Sequence, residues 1–308
     1  MRRAAKAAVE RFDHLFRAPA PSLREGTEPP ALLIVGAPRS GTTVFYQTVA
    51  SHRNTVFINN LLERLPLSGV RVARWVRLDR WKPPFSIESN YGETPGLAGP
   101  SEAGPFWDHV FPRGSHHAVE PEEADPERMA WLRSTVGALV EMTGKAFLSK
   151  NTWNSVRIPA LHRVLPAAVF IVVERDPLYT AQSLLRGRRQ RFGDAPGPWS
   201  ILPREMVAMS DLPPLEYVAN QILYTHCAIE QARAQLGGER FFTVRYEDFC
   251  GDPAGTLERL DEFCEARGIE LTRTAAPAPR PLRASGRLEL PADEISRLRA
   301  VFARATDW

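Results

Sequence analysis

At 308 residues, with 44% hydrophobic side chains, the chain can bury a sizeable core as one large α/β domain or a domain with a cap. Its formal net charge of +3 excludes a global basic field of the kind that draws nucleic acid, and no run approaches the roughly 18 apolar residues of a membrane-crossing helix. The three cysteines (Cys227, Cys250, Cys264) form no C-x-x-C pair and have no histidine at zinc-ligand spacing, so they read as core or incidental thiols suited to a reducing, cytoplasmic setting.

The chain opens Met1-Arg2-Arg3 without a signal-peptide apolar run, because Glu10, Asp13 and His14 interrupt it. Residues 4–17 read as a short amphipathic helix with Val9, Phe12 and Phe16 on one face, packing onto the body, with reversible membrane contact as the alternative. Pro19, Pro21, Pro29 and Pro30 mark a linker, so residues 1–30 are set apart from a main α/β domain over 31–308.

A strand over Ala31–Gly36, a tight loop Gly36-Ala37-Pro38-Arg39-Ser40-Gly41-Thr42-Thr43 and a helix over Thr42–Ser51 follow in order. The first backbone N–H groups of such a helix point into the loop, which makes it a phosphate cradle. The G-x4-G spacing fits the Walker A loop, but Thr42 stands where the lysine belongs and Arg39 brings a cation inside the loop instead. Without that lysine, and without a clear strand-end carboxylate for Mg²⁺, the loop suits a phosphate group better than metal-bound triphosphate, and no metal is expected. His52 is read as a helix C-terminal residue facing its own carbonyls.

After a short strand at Thr55–Ile58, residues 59–126 lose all long periodicity and abound in Pro, Gly and Trp. An irregular stretch of that length inside a domain is usually a lid or substrate wall. Its Trp75, Trp81, Phe85, Phe106 and Trp107 suit either stacking against an acceptor or packing of the lid onto the body. A helix at Glu127–Met142, the run Ala146–Ser149 before Lys150-Asn151, and a helix-like spacer Arg157–Leu165 come next. The apolar run Ala168–Val173 is a buried strand ending in Glu174-Arg175-Asp176-Pro177, and Leu178–Arg186 is a helix carrying Ser183. Arg175 and Ser183 can grip a second phosphate through a guanidinium fork and a hydroxyl. Arg186, Arg188 and Arg189 add cations able to converge on the same polyanion. A helix at Leu215–Leu236, a strand at Phe241–Val244, a helix at Pro253–Arg267, a Pro/Arg-rich loop at Thr272–Arg287 and a helix at Pro291–Ala303 complete the chain. Strands alternating with helices predict a P-loop-like parallel sheet of about five strands, flanked by helices, with ligand at the strands' carboxyl ends.

Two phosphate sites at two strand ends suggest a nucleotide phosphorylated at both ends of its ribose. The ordered set Pro38-Arg39-Ser40-Gly41-Thr42-Thr43, Lys150-Asn151, Arg175-Asp176-Pro177 with Ser183, and Arg245-Tyr246-Glu247-Asp248-Phe249 resembles the sulfotransferases that use 3′-phosphoadenosine-5′-phosphosulfate. It is most similar to the broad bacterial branch, which shares its R-S-G-T-T loop with the protein-tyrosine sulfotransferases. The resemblance covers roughly residues 31–270 and implies transfer of a sulfuryl group to a hydroxyl or amine of a small-molecule, carbohydrate or lipid acceptor. It implies that loop N–H groups of Ser40–Thr43 hold the 5′-phosphate, that Arg39 stabilises charge on the transferring group and that Lys150 assists the leaving group. Tyr246 stands at a strand end either as packing or against the adenine, and is counted with the cofactor set. A homodimer is left open.

The family's base does not carry over. In the tyrosyl branch a glutamate follows the second strand, where this chain has Asn59 and Asn60, and neither amide takes a proton at neutral pH. The candidates are Glu63, Glu93, Glu102, His109, His116 and His117; Glu102 is preferred because Gly-Pro turns surround it and Phe106 and Trp107 could desolvate it. A P-loop-like small-molecule kinase and a non-catalytic nucleotide-binding homologue are the alternatives.

Overall fold

The computed structural model describes Arg11, Asp13 and residues 28–78, 94–193, 199–284 and 287–304. The expectations placed on Trp81, Phe85 and Glu93, and on most of residues 1–27, lie outside the described residues. Five strands form one parallel sheet in the order β2-β3-β1-β4-β5: β1 Ala31–Val35, β2 Thr55–Val56, β3 Ala146–Lys150, β4 Ala168–Glu174 and β5 Phe241–Arg245. The helices are α1 Thr42–His52, α2 Gly69–Trp75, α3 Gly104–Val110, α4 Pro126–Thr143, α5 Ile158–Val164, α6 Pro177–Phe192, α7 Pro214–Leu236, α8 Tyr246–Gly251, α9 Pro253–Glu265 and α10 Ala292–Phe302.

The central strands are apolar throughout because both sheet faces are covered. Leu33, Val35, Phe147, Phe170 and Val172 meet Trp131, Leu132 and Val136 of α4 on one face. Their neighbours in sequence, Leu32, Ile34, Leu148, Val169 and Ile171, meet Phe45 and Val49 of α1 and Leu257 and Leu260 of α9 on the other. Each such side chain contributes about 1.5–3 kcal/mol on burial, so a one-residue slip in register would put both layers out of place. A third cluster joins α6, α7 and α10 through Leu184, Leu185, Val218, Ile222, Leu298 and Phe302.

The long helices start and stop where their sequence dictates. Asp125 accepts hydrogen bonds from the Glu127 and Arg128 N–H groups ahead of α4, and Gly144 ends it at φ 64. Asp176 caps α6 in the same way, with Pro177 at its first position. The irregular stretch from 59 differs from expectation in holding two short helices, α2 and α3. Each has only 7 residues, too short for a helical period to stand out in the sequence. Helix α6 runs on to Phe192, and α8 follows β5 directly. Among the described residues, no helix is long and apolar enough to cross a membrane.

Candidate active site

The loop after β1 sits at the carboxyl end of the central strand, with the end of β3 on one side and the end of β4 on the other. Gly36 has φ 151, and a Cβ there would lie 2.5 Å from the Val173 carbonyl oxygen and 2.9 Å from Ser40 Oγ. Buried Ser155 pins it: the Gly36 N–H donates to Ser155 Oγ at 3.0 Å, and that hydroxyl donates back to the Gly36 carbonyl at 3.1 Å. Gly41 enters α1 at φ 99, and the Tyr246 ring lies so close that a Cβ would fall 2.2 Å from it. Arg39 takes a left-handed φ of 70, which costs a non-glycine residue roughly 1–2 kcal/mol. Helix α1 has no side-chain cap, and the buried Ser40 Oγ has no hydrogen-bond partner among the described residues. An uncapped helix start, an orphaned hydroxyl and a backbone held open by two glycines together fit an anionic phosphate.

On the β4 side, Arg175 and Ser183 come together with the loop itself. Arg39 Nε donates to Ser183 Oγ at 3.2 Å, and Arg175 Nη1 donates to the Arg39 carbonyl oxygen at 3.3 Å. The Arg175 guanidinium lies 4.9 Å from the centre of the Tyr246 ring, so the tyrosine seats both the arginine and Gly41. Burial and a hydrogen bond with Cys250 push the Tyr246 phenol up to about 12, keeping it neutral. In this conformation Arg39 leans toward the second-phosphate residues. Two arginines of α6 have carboxylate partners: Arg186 pairs with Glu289 at 2.6 Å and Arg189 reaches Glu294 at 3.9 Å. Buried Arg188 stacks over Tyr217 at 5.4 Å.

On the β3 side, the buried Lys150 ammonium is ion-paired with Glu102. The Glu102 loop is braced from several directions. Asn151 Nδ2 donates to the Glu102 carbonyl at 3.0 Å, and the Tyr46 hydroxyl of α1 donates to the Ser101 carbonyl at 3.2 Å. Asn60 Nδ2 donates to the carbonyls of Thr94 at 2.8 Å and Gly96 at 2.7 Å, while its N–H donates to Gly99 at 3.0 Å. Asn59 bridges Pro100 antiparallel and accepts the Leu62 N–H at 2.9 Å. The two asparagines where the resemblance leads one to look for a carboxylate are therefore scaffolding for the segment that carries Glu102. Ala103, next in the chain, is buried at φ 53, a second left-handed non-glycine residue beside a candidate side chain. Burial, then Glu102 and Glu63, push the Tyr46 phenol far above its ordinary range.

The histidines are built into other surroundings. His117 stacks on Trp153 with ring centres 4.4 Å apart, and its Nδ1 accepts the Leu202 N–H at 2.7 Å. Burial, then Arg157, Arg113 and His116, pull it down to about 4, so the ring is neutral and its Nδ1 lone pair is occupied. His109 packs on Trp131, and His52 Nδ1 lies 2.8 Å from the Thr48 carbonyl at the end of its own helix. Phe106 and Trp107 are core residues of α3, packed toward Trp131 and Phe111, while Trp75 is 84% exposed. Glu174, His226 and Glu230 each bring one ligand atom within 4.8 Å of the others, but Arg233 Nε already lies 3.1 Å from the Glu230 carboxylate, where a cation would have to compete with it.

Sequence reasoning placed the loop, Arg175, Ser183, Lys150 and Glu102 in one region. It missed Tyr46, Ser155 and the bracing role of Asn59 and Asn60, whose partners lie far away in the chain. The spacing of Asn60 from Gly96 carries no motif.

Comparison with known proteins bears on the same region. The model of the sulfotransferase family matches residues 30–270. The chain is 28% identical over 150 residues to the ω-hydroxy-β-dihydromenaquinone-9 sulfotransferase Stf3 of Mycobacterium bovis, and equally to that of Mycobacterium tuberculosis. That stretch is 46% of this chain and 35% of the relative, so the match spans about a third of those proteins' length. Among solved structures, sulfotransferase STF1 of Mycobacterium tuberculosis aligns with a TM-score of 0.51 at 15% identity, over 97% of this chain and 81% of the other. Sulfotransferase STF9 of Mycobacterium avium aligns with a TM-score of 0.50 at 19% identity, over 98% and 73%. At such identities the structural likeness is one of fold.

Proposed function

The chain belongs to the sulfotransferase family, and from that premise we propose that it moves a sulfuryl group from 3′-phosphoadenosine-5′-phosphosulfate to the hydroxyl of a small-molecule, carbohydrate or lipid acceptor. The observation that carries this reading is the arrangement of two flanks around one anion-ready loop. Cations and a hydroxyl for a second phosphate stand on the β4 side, and an ammonium–carboxylate pair stands on the β3 side.

In this reading the donor supplies an activated sulfur already bonded to a good leaving group. The acceptor oxygen forms a bond to that sulfur as the bond to the bridging oxygen breaks, and the electron pair leaves with the 5′-phosphate. The protein's part is positioning and charge stabilisation. The N–H groups at the start of α1 and Ser40 Oγ hold the 5′-phosphate, Arg175 and Ser183 hold the 3′-phosphate, and Arg39, bonded to Ser183 in this conformation, swings to stabilise charge on the transferring group. Lys150 offsets charge on the leaving oxygen. Glu102 receives the acceptor's proton, which requires the Lys150–Glu102 contact to open when the substrates bind. The matched Stf3 relatives are named for a hydroxylated menaquinone, which places a lipid alcohol among the acceptors to try first.

Calorimetry with nucleotide products tests the donor assignment. Adenosine 3′,5′-bisphosphate should bind clearly more tightly than adenosine 5′-phosphate, and Arg175→Ala should remove on the order of 2–3 kcal/mol from the former alone. Equal affinity for the two nucleotides would sink the second phosphate site.

A further inference from the structure

Helix α2 faces the core with one side and solvent with a cationic, aromatic one. Ala73 is fully buried, and Val70 and Val72 pack against the main core cluster, which fixes how the helix is turned. Its N-terminal end is anchored by Asp13, whose carboxylate accepts the Ser68 N–H at 2.8 Å and the Ser68 hydroxyl at 2.7 Å. The outward positions are Arg71, Arg74 and Trp75, with Arg77 following, and all four are exposed. Trp75 stands 84% exposed, well above the other large exposed apolar side chains, Leu97, Phe192 and Val207. Arg64, one turn before the helix, is exposed as well.

Charge is concentrated here far beyond the average of the chain. Between Leu61 and Leu78 there are four arginines against a single acidic residue, Glu63, whereas the whole protein carries a formal net charge of only +3. An isolated exposed apolar residue needs no explanation, but an exposed indole with exposed arginines at 71, 74 and 77 in the same short stretch has a definite physical preference. Trp favours the boundary between water and lipid, and arginines bury their stems there while their charged heads meet anionic headgroups. A short helix with a highly exposed indole at its end suits a flat surface. It offers no groove that would track a nucleic-acid backbone. The helix packs on the 3₁₀ turn Leu62–Arg64, which follows the Asn59–Asn60 brace.

We propose that α2 is a membrane-docking element, with Trp75 entering the interface of an anionic lipid surface and Arg64, Arg71, Arg74 and Arg77 contacting its headgroups. This inference stands apart from the acceptor's identity and from the donor assignment. The test is co-sedimentation of the full chain with phosphatidylcholine vesicles, with and without phosphatidylglycerol. The protein should pellet with the anionic vesicles alone, and added salt should release it. Each Arg→Gln change at 71, 74 or 77 should weaken binding about fivefold, and Trp75→Ala by at least as much. All four positions are exposed, so thermal midpoints should stay at the wild-type value and show the variants to be folded. Equal pelleting with both vesicle types, or unchanged pelleting of the variants, overturns the proposal. Tighter binding to a single-stranded oligonucleotide than to anionic vesicles would overturn it too, and would assign the patch to nucleic acid.

Discussion

The two flanks of the phosphate loop are built in opposite ways. The β4 flank is carried by one strand–helix unit: Arg175 closes a strand, Ser183 lies two turns into the next helix, both reach Arg39, and the Tyr246 ring seats Arg175 from the side. The β3 flank is assembled from distant segments. Its carboxylate sits on an irregular loop held by Asn59, Asn60, Tyr46 and Asn151, and that loop turns through a left-handed Ala103. The half proposed to grip nucleotide follows from one strand–helix unit beside the loop. The half that meets an acceptor depends on loop geometry, which can change without disturbing the sheet.

The contrast predicts different consequences for substitutions on each side. The largest effect is expected at Glu102: Glu102→Gln should lower kcat by roughly 10²–10⁴-fold while leaving adenosine 3′,5′-bisphosphate affinity nearly untouched. Lys150→Ala should lower kcat too, but without removing the acid-side limb that a Glu102 base gives the pH–rate profile. A Glu102→Gln enzyme within threefold of wild type would move attention to Glu63, whose charge also raises the Tyr46 phenol.

A smaller effect probes the brace. Asn60→Ala removes the donor serving the Thr94 and Gly96 carbonyls and should cost roughly tenfold in kcat through misplacement of Glu102. Nucleotide affinity should again hold, since these bonds lie wholly on the β3 side. If Asn60→Ala weakens nucleotide binding as much as turnover, the two flanks are not independent and the comparison fails.

The smallest effect concerns stability away from both flanks. His117 is held down at about 4 by burial and neighbouring arginines, against an ordinary value of about 6.5 when unfolded. Between those values the unfolded chain binds more protons than the folded one, so stability falls as the pH drops from about 6.5 to about 4. His117→Asn should show a shallower loss over that window in denaturant unfolding, although its stability at neutral pH is lower for want of the ring packed on Trp153. Parallel curves for the two proteins would show that the ring titrates normally.

Legibility in the sequence divided along the same line. The five strands, the loop and the long helices could be read because apolar runs, glycine spacing and capping residues act within a few positions of themselves. Glu102 was reachable through the turn chemistry around it, and its partner Lys150 through the end of an apolar run. Phe106 and Trp107 show the limit: the sequence offered them as walls for the carboxylate, and α3 turns them into the core against Trp131 and Phe111. Nothing in the local pattern says which way a helix of 7 residues faces. The asparagines at 59 and 60 show the converse limit. The Asn60 side chain serves carbonyls more than thirty positions away, and the Asn59 backbone bridges Pro100, so tertiary contact supplies their meaning.

One contact on the β4 flank reaches further than its length suggests. Arg175 donates to the backbone carbonyl of Arg39, a residue already held in a left-handed conformation within the loop. An anion that draws this guanidinium toward itself must loosen that tether, and a loop reshaped by its own 5′-phosphate must move the carbonyl that Arg175 is reading. Under the proposed reading, the two ends of a bisphosphate nucleotide would be thermodynamically linked through the contacts that join Arg175 and Ser183 to Arg39, a chelator whose jaws share a hinge.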